Sequence, residues 1–220
     1  MQLIPTQEDV IGLLRKTGAL RSGHFACPNG FHTDQYLETA LVMRYYQHAK
    51  TLSVGLSRLL RANTELRAFL RELSIVSATP GGLPVAYGIC EALQASQVYW
   101  VEKPCGFEPV RFLQYIEPCP GEKVILVDDI LRSGALIEEA RTLLESRGAH
   151  VMALAVLIYQ PTPKTHDFGS LRLHYLARLD ASYYTDAVSC ELCRQGIRLE
   201  RIGREPVEEL RRATAGGRAL

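Results

Sequence analysis

The residues best placed to do chemistry follow the most apolar stretch of the chain. Val124-Ile125-Leu126-Val127 runs directly into Asp128-Asp129, and Ile130-Leu131 leads on to Arg132-Ser133-Gly134. A continuous apolar block of this kind suits a strand buried on both faces, and ligands of such sheets bind at the carboxyl ends of the strands. Two carboxylates there can accept hydrogen bonds from the vicinal hydroxyls of a sugar. Arg132, Ser133 and Gly134, continuing into Ala135 and Leu136, open a helix. Free backbone N–H groups at a helix N-terminus, beside a serine hydroxyl and a glycine, form a cradle for phosphate. The plain alternative at this point is a solvated Asp128, with Asp129 or Ser133 capping the helix.

Three other segments carry reactive side chains. Thr79-Pro80-Gly81-Gly82 follows a short apolar run, where glycines let backbone N–H groups turn toward an anion, although such a turn also serves as a plain connection. Lys103 and Arg111 flank a polar loop and read either as cations for a charged ligand or as ordinary surface charges. Cys190 and Cys193 have the spacing of a metal-ligand pair. A structural zinc needs four ligands, and no second cysteine or histidine pair lies near them in sequence, so no metal ligands are assigned.

The elements that must position these residues are legible as periodicities. Apolar residues Val10, Leu13 and Leu14 mark a short helix opening at Thr6, and residues 18–38 break into hairpin-like strands around Gly23 and Gly30. A helix from about Tyr45 to Arg61 carries Ala49, Leu52, Leu56, Leu59 and Leu60 on one face. Strands and helices then alternate: a strand over 73–78, a helix ending near Gln94, strands at 97–102 and 123–129, a helix from about Leu136 to Ser146, and a strand over 151–158. This series predicts an α/β fold, a central mostly parallel sheet with helices on both faces, plus a small N-terminal α+β subdomain. The expected division is 1–44 for that subdomain, 45–204 for the core and 205–220 for a frayed tail.

With 220 residues, 47% apolar and 22% charged, the chain can bury a sizeable core and is not a disordered one. Lys and Arg number 25 against 24 Asp and Glu, which leaves no electrostatic footprint for nucleic acid. No apolar run approaches the roughly 18–20 residues of a membrane span, and the N-terminus lacks a signal-peptide layout, so a soluble cytoplasmic protein with reduced thiols is expected.

The acidic segment resembles the phosphoribosyl-diphosphate (PRPP) binding motif of the type I phosphoribosyltransferases: four apolar residues, two acids, two apolar residues, then a small polar-Gly loop. Thr17-Gly18-Ala19-Leu20, Gly23-His24-Phe25 and Asn29-Gly30-Phe31-His32 through Tyr36 resemble the N-terminal hood of orotate phosphoribosyltransferases, and Cys190 to Gly196 resembles a cysteine-pair segment near the C-terminus of many bacterial members. The resemblance runs from about residue 10 to 204. It implies transfer of the phosphoribosyl group from PRPP to a nitrogenous base, orotate first, in pyrimidine biosynthesis, with release of pyrophosphate. Mg²⁺ would enter through PRPP, and a homodimer is implied. A non-catalytic PRPP- or nucleotide-binding regulatory protein is the alternative.

By the same resemblance Asp128 and Asp129 hold the ribose hydroxyls and the 132–136 loop holds the 5-phosphate. Thr79 to Gly82 forms the pyrophosphate loop, and Lys103 and Arg111 belong to a mobile catalytic loop. Phe31, His32 and Gln160 face the base. The family's pyrophosphate loop holds an unusual cis peptide, and an X–Pro bond reduces the cis penalty from about 2.5–4 to roughly 0.5–1 kcal/mol, so Thr79-Pro80 is expected to be cis. The chain departs from the family pattern in three places. Leu136 replaces a hydroxyl residue, Lys103-Pro104-Cys105-Gly106 lacks the usual Lys- and His-containing pattern, and Tyr159-Gln160 stands where Asp-Arg is common.

Overall fold

The structure, a computed structural model, describes residues 4–27, 30–104, 108–112 and 116–201. The tail 205–220, Asn29 of the hood motif and Cys105-Gly106 of the 103–106 segment lie outside these described residues. In chain order the first elements are α1 (Gln7–Lys16), β1 (Leu20–Ala26), β2 (His32–Leu37), the single turn α2 (Ala40–Met43), α3 (Tyr46–Ala62) and α4 (Thr64–Arg67). Then come β3 (Ser74–Ser77), a 3₁₀ turn at Pro80–Gly82, α5 (Leu83–Leu93), β4 (Gln97–Glu102) and β5 (Arg111–Phe112). The chain continues through β6 (Lys123–Leu131), α6 (Ala135–Ser146), β7 (His150–Tyr159) and β8 (Leu173–Arg178), and closes with β9 (Tyr183–Tyr184), α7 (Glu191–Arg194) and β10 (Glu200–Arg201).

The chain divides into two compact units, one of residues 1–19 with 38–180 and one of residues 20–37 with 181–220. This differs from the contiguous division read from sequence, and strand pairing gives the reason. β9 pairs with β2 and β10 pairs with β1, so the last described segment completes the sheet that the hairpin begins. Helix α1 belongs instead to the larger unit. It is fixed there by a Thr6–Asp9 capping box, by burial of Val10 and Leu14, and by the backbone N–H of Arg178, which donates to Gln7 Oε1 at 3.0 Å.

The larger unit is built on a six-stranded sheet in the order β5-β4-β3-β6-β7-β8, with every neighbouring pair parallel except β5 against β4. On one face α6 contributes Ile137, Ala140 and Leu144 to a buried cluster with Val76, Tyr99, Val124, Leu126, Leu154 and Val156. α3 and α5 pack together, α5 against β3 and β6 and α3 against β7 and β8. Covered on both faces, Val124 to Val127 are buried without alternation, as their continuous apolar run requires. At the amino ends of the strands Glu122 ties the sheet together by accepting from Ser74 Oγ, from Gln97 Nε2 at 3.0 Å and from the Cys119 amide at 2.8 Å.

The strand order locates the ligand crevice. From β3 the chain moves outward to β4, then crosses back to place β6 on the other side of β3. Strand order therefore reverses between β3 and β6, and crevices in open parallel sheets lie at the carboxyl ends of such a pair.

Candidate functional site

Asp128 and Asp129 stand at that reversal. β3 leaves the ladder at Ser77, opposite Val127, with one further bond from the Ala78 amide to the Val127 carbonyl at 2.9 Å. β6 runs on beside β7 as far as Leu131. The two aspartates are thus held rigidly by β7 on one side and open to the crevice where β3 has ended. Asp128 is 4% exposed; its Oδ1 accepts the Thr79 hydroxyl at 2.6 Å and the Asp129 amide at 2.9 Å. Asp129 is half-buried, its Oδ1 accepting the Ile130 amide at 2.9 Å and its Oδ2 the Thr39 hydroxyl. Burial, and after it the neighbouring Asp129 carboxylate, push the Asp128 carboxyl well above its ordinary value, while the Thr79 hydroxyl pulls the other way. Reading the pair as solvated charge or mere helix caps does not fit this burial.

The Thr79 to Gly82 loop faces the same carboxylates. A Cβ on Gly81 would lie 3.2 Å from both Asp129 carboxylate oxygens, and one on Gly82 would lie 2.7 Å from Ser77 Oγ and 2.9 Å from Asp128 Oδ1. Only backbone fits between loop and strand. The expectation of a cis Thr79-Pro80 bond is corrected, since the described residues contain no cis peptide. Pro80 opens a 3₁₀ turn that Thr79 caps through the Gly82 amide, and a trans proline with its fixed φ is already suited to the first position of a helical turn. The loop reaches the aspartates without the isomer.

The Arg132-Ser133-Gly134 turn is fixed from the side of residues 162–168. The Thr165 hydroxyl donates to the Arg132 carbonyl at 2.6 Å, and the His166 amide to that of Ser133 at 2.8 Å. Gly134 caps α6 with φ +75° and no side-chain hydrogen bond, and a Cβ there would meet the Phe168 ring at 2.7 Å. A glycine N-cap supplies no side-chain acceptor to the first amides of α6. Ser133 Oγ lies 3.4 Å from the Ala135 amide. Leu136, standing where the family has a hydroxyl residue, packs against the α6 cluster and offers the loop only its backbone.

Gln160 follows β7 and is 1% exposed; its Oε1 accepts Arg132 Nε at 2.9 Å. The residue expected to face a base is thus hydrogen-bonded to the arginine of the 132–136 turn. Lys103 pairs with Glu139 of α6, and Arg111 with Glu102 at 2.9 Å. His32 lies in the smaller unit, where its Nδ1 is 3.0 Å from His24 Nε2; Phe31, beside it in sequence, is half-buried. Thr39 is the site residue that the sequence reading missed. It lies 90 positions from the carboxylate it meets, and no local pattern marks it.

The chain is similar to known proteins in sequence and in fold. The phosphoribosyl transferase domain family matches residues 116–170, which hold the acidic pair and the loop after it. An orotate phosphoribosyltransferase of Thermotoga maritima is 30% identical over 192 residues, covering 87% of this chain and 95% of that one. One from Desulforamulus reducens is 27% identical over 191 residues, covering 87% and 93%. In fold, the crystal structure of orotate phosphoribosyltransferase from Aeropyrum pernix matches with a TM-score of 0.62 at 21% identity, over 77% of this chain and 93% of that one. With an acidic pair at the strand reversal, a glycine loop against it and a relative aligned over nearly its whole length, the chain belongs to the orotate phosphoribosyltransferase family.

Proposed function

We propose that the protein transfers the phosphoribosyl group of PRPP to orotate and releases pyrophosphate, with Asp128 and Asp129 holding the ribose. The observation that carries this reading is the seating of the acidic pair between the Thr79–Gly82 loop and the start of α6, so that anion-binding backbone flanks two hydroxyl acceptors. As the bond to pyrophosphate breaks, positive charge develops on the ribose ring, and fixed carboxylates lower the energy of that state. Asp129 accepts from the ligand through oxygens already oriented by Thr39 and Ile130. Asp128, kept buried, presents its carboxyl without reorganisation. The α6 N-terminus holds the 5-phosphate while Gln160 steers Arg132 beside it.

The Asp129 carboxylate and Thr39 hydroxyl are hard oxygen donors of the kind Mg²⁺ accepts, so the crevice fits a cation that arrives on the diphosphate. When bound, Mg²⁺ neutralises charge on the departing pyrophosphate. A role for Lys103 and Arg111 at the leaving group requires each to exchange its present carboxylate for the ligand. A homodimer in the cytoplasm completes the proposal. Among the described residues no helix is long and apolar enough to cross a membrane.

Purified protein supplied with PRPP, Mg²⁺ and a panel of bases should release pyrophosphate with orotate and not with adenine or guanine. Binding of PRPP with no release for any base would instead identify the regulatory protein. Native mass measurement reads the dimer.

A further inference from the structure

The smaller unit has an interior of ligating side chains. Among its described residues, Leu20, Phe25 and Leu37 are the buried hydrocarbon side chains, and the other buried positions are His24, His32, Thr33 and Cys190. His24 comes from β1, His32 from β2, Cys190 caps α7 and Cys193 lies within it. Their ligand atoms all fall within 4.8 Å of one another.

Four of the six separations come close to the edges of a tetrahedron, and the other two fall within 4.8 Å. His24 Nε2 is 3.0 Å from His32 Nδ1, 3.4 Å from Cys190 Sγ and 3.6 Å from Cys193 Sγ, and Cys193 Sγ is 3.4 Å from His32 Nδ1. Four ligands at Zn–N of about 2.0–2.1 Å and Zn–S of about 2.3 Å define a tetrahedron with edges of about 3.3–3.8 Å. The outer hydrogen bond is also in place: His24 Nδ1 lies 2.8 Å from the Ile197 carbonyl. A carbonyl can only accept, so Nδ1 carries the proton and Nε2 presents its lone pair to the other three ligands.

We propose that His24 Nε2, His32 Nδ1 and the thiolates of Cys190 and Cys193 bind one Zn²⁺ as a closed structural site. Binding releases the two thiol protons to solvent, and two thiolates balance the two charges of the metal. The buried centre is therefore neutral, which avoids the cost of an unpaired interior charge. With four protein ligands no position remains for water or substrate, which makes the site structural. Among the described residues three buried hydrocarbon side chains make a thin core, and a metal is one of the few devices that hold so small a unit together.

The proposal goes beyond phosphoribosyl transfer and is read without it. Full-length protein, purified under reducing conditions without chelator, should contain about one zinc per chain by elemental mass spectrometry, released when a mercurial reagent titrates the thiols. Cys190→Ser with Cys193→Ser should lower zinc to background. Because that variant can fail to fold, wild-type protein is also stripped and reloaded with Co²⁺. Intense visible bands of tetrahedral cobalt, with thiolate charge transfer in the near ultraviolet, are expected. Metal-free protein that gives no such spectrum with Co²⁺ overturns the site.

Discussion

Gln160 and Arg132, 28 positions apart, meet through a hydrogen bond of 2.9 Å in which the buried amide oxygen accepts from the guanidinium Nε. The family pattern commonly places an arginine where Gln160 stands, and a second guanidinium would suit an anionic base. The geometry argues the reverse. Gln160→Arg sets a second cation at a position 1% exposed, against Arg132, and replaces an acceptor by a donor. The variant should lose about 2–4 kcal/mol of stability and bind PRPP less well. Urea denaturation with a PRPP titration checks this; an unchanged midpoint and a lower KM for orotate would refute it.

Asp128→Asn should separate stability from function. The raised folded-state value means that the stability associated with neutral Asp128 is fully present below the ordinary value of 3.8 and lost as pH rises through the folded-state value. Asparagine keeps an oxygen for the Thr79 hydroxyl and carries no charge. Ligand-free variant should therefore melt higher than wild type at about pH 8. The difference should shrink toward about pH 4. In the same variant kcat/KM for PRPP should fall about tenfold to hundredfold, through loss of a charge-assisted hydrogen bond.

Gly82→Ala and Gly81→Ala should differ. At Gly82 the new methyl meets Ser77 Oγ at 2.7 Å and the Asp128 backbone at 3.0 Å, so strand or loop must shift, at about 1–3 kcal/mol. At Gly81 its three nearest atoms belong to the Asp129 carboxyl group, at 3.2–3.3 Å, a smaller displacement that falls directly on the carboxylate proposed to hold the ribose. Gly82→Ala should lower stability more. Gly81→Ala should act chiefly on KM for PRPP, and steady-state kinetics beside thermal melts decide it.

Gly134→Ala combines a left-handed backbone with a clash on Phe168, and should cost about 1–3 kcal/mol. Adding Phe168→Leu removes the ring and leaves φ at +75°. Partial recovery of stability in the double variant is expected, and full recovery would show that the backbone angle carries no cost.

What the sequence made legible was whatever is local. The apolar block before Asp128, the Thr6 cap and the glycines after Thr79 each announce their element within a few residues, and α1, α3, α5 and α6 with β3, β4, β6 and β7 fall where such signals place them. What it hid depends on partners far along the chain. Thr39 reaches Asp129 across 90 positions, and the Cys190–Cys193 pair meets its histidines across 161 to 169. β8 escapes because its mixed burial gives no clean alternation, and β9 and β10, of two residues each, are too short to show a period. The division into units escapes for the same reason, since it is drawn by pairing between the two ends of the chain.

That pairing sets an order of events during synthesis. The β1–β2 hairpin leaves the ribosome early, yet its partner strands and both cysteines are translated after every strand of the larger sheet. Everything needed for the larger sheet is available sooner, and a folded sheet replaces a long flexible loop by a fixed spacer, reducing the entropy lost when the ends meet. Until the last strands emerge, His24 and His32 wait on the nascent chain without the cysteines. The smaller unit closes only after the strands of the larger sheet have been made, and a chain truncated before Cys190 keeps the carboxylates but never closes it.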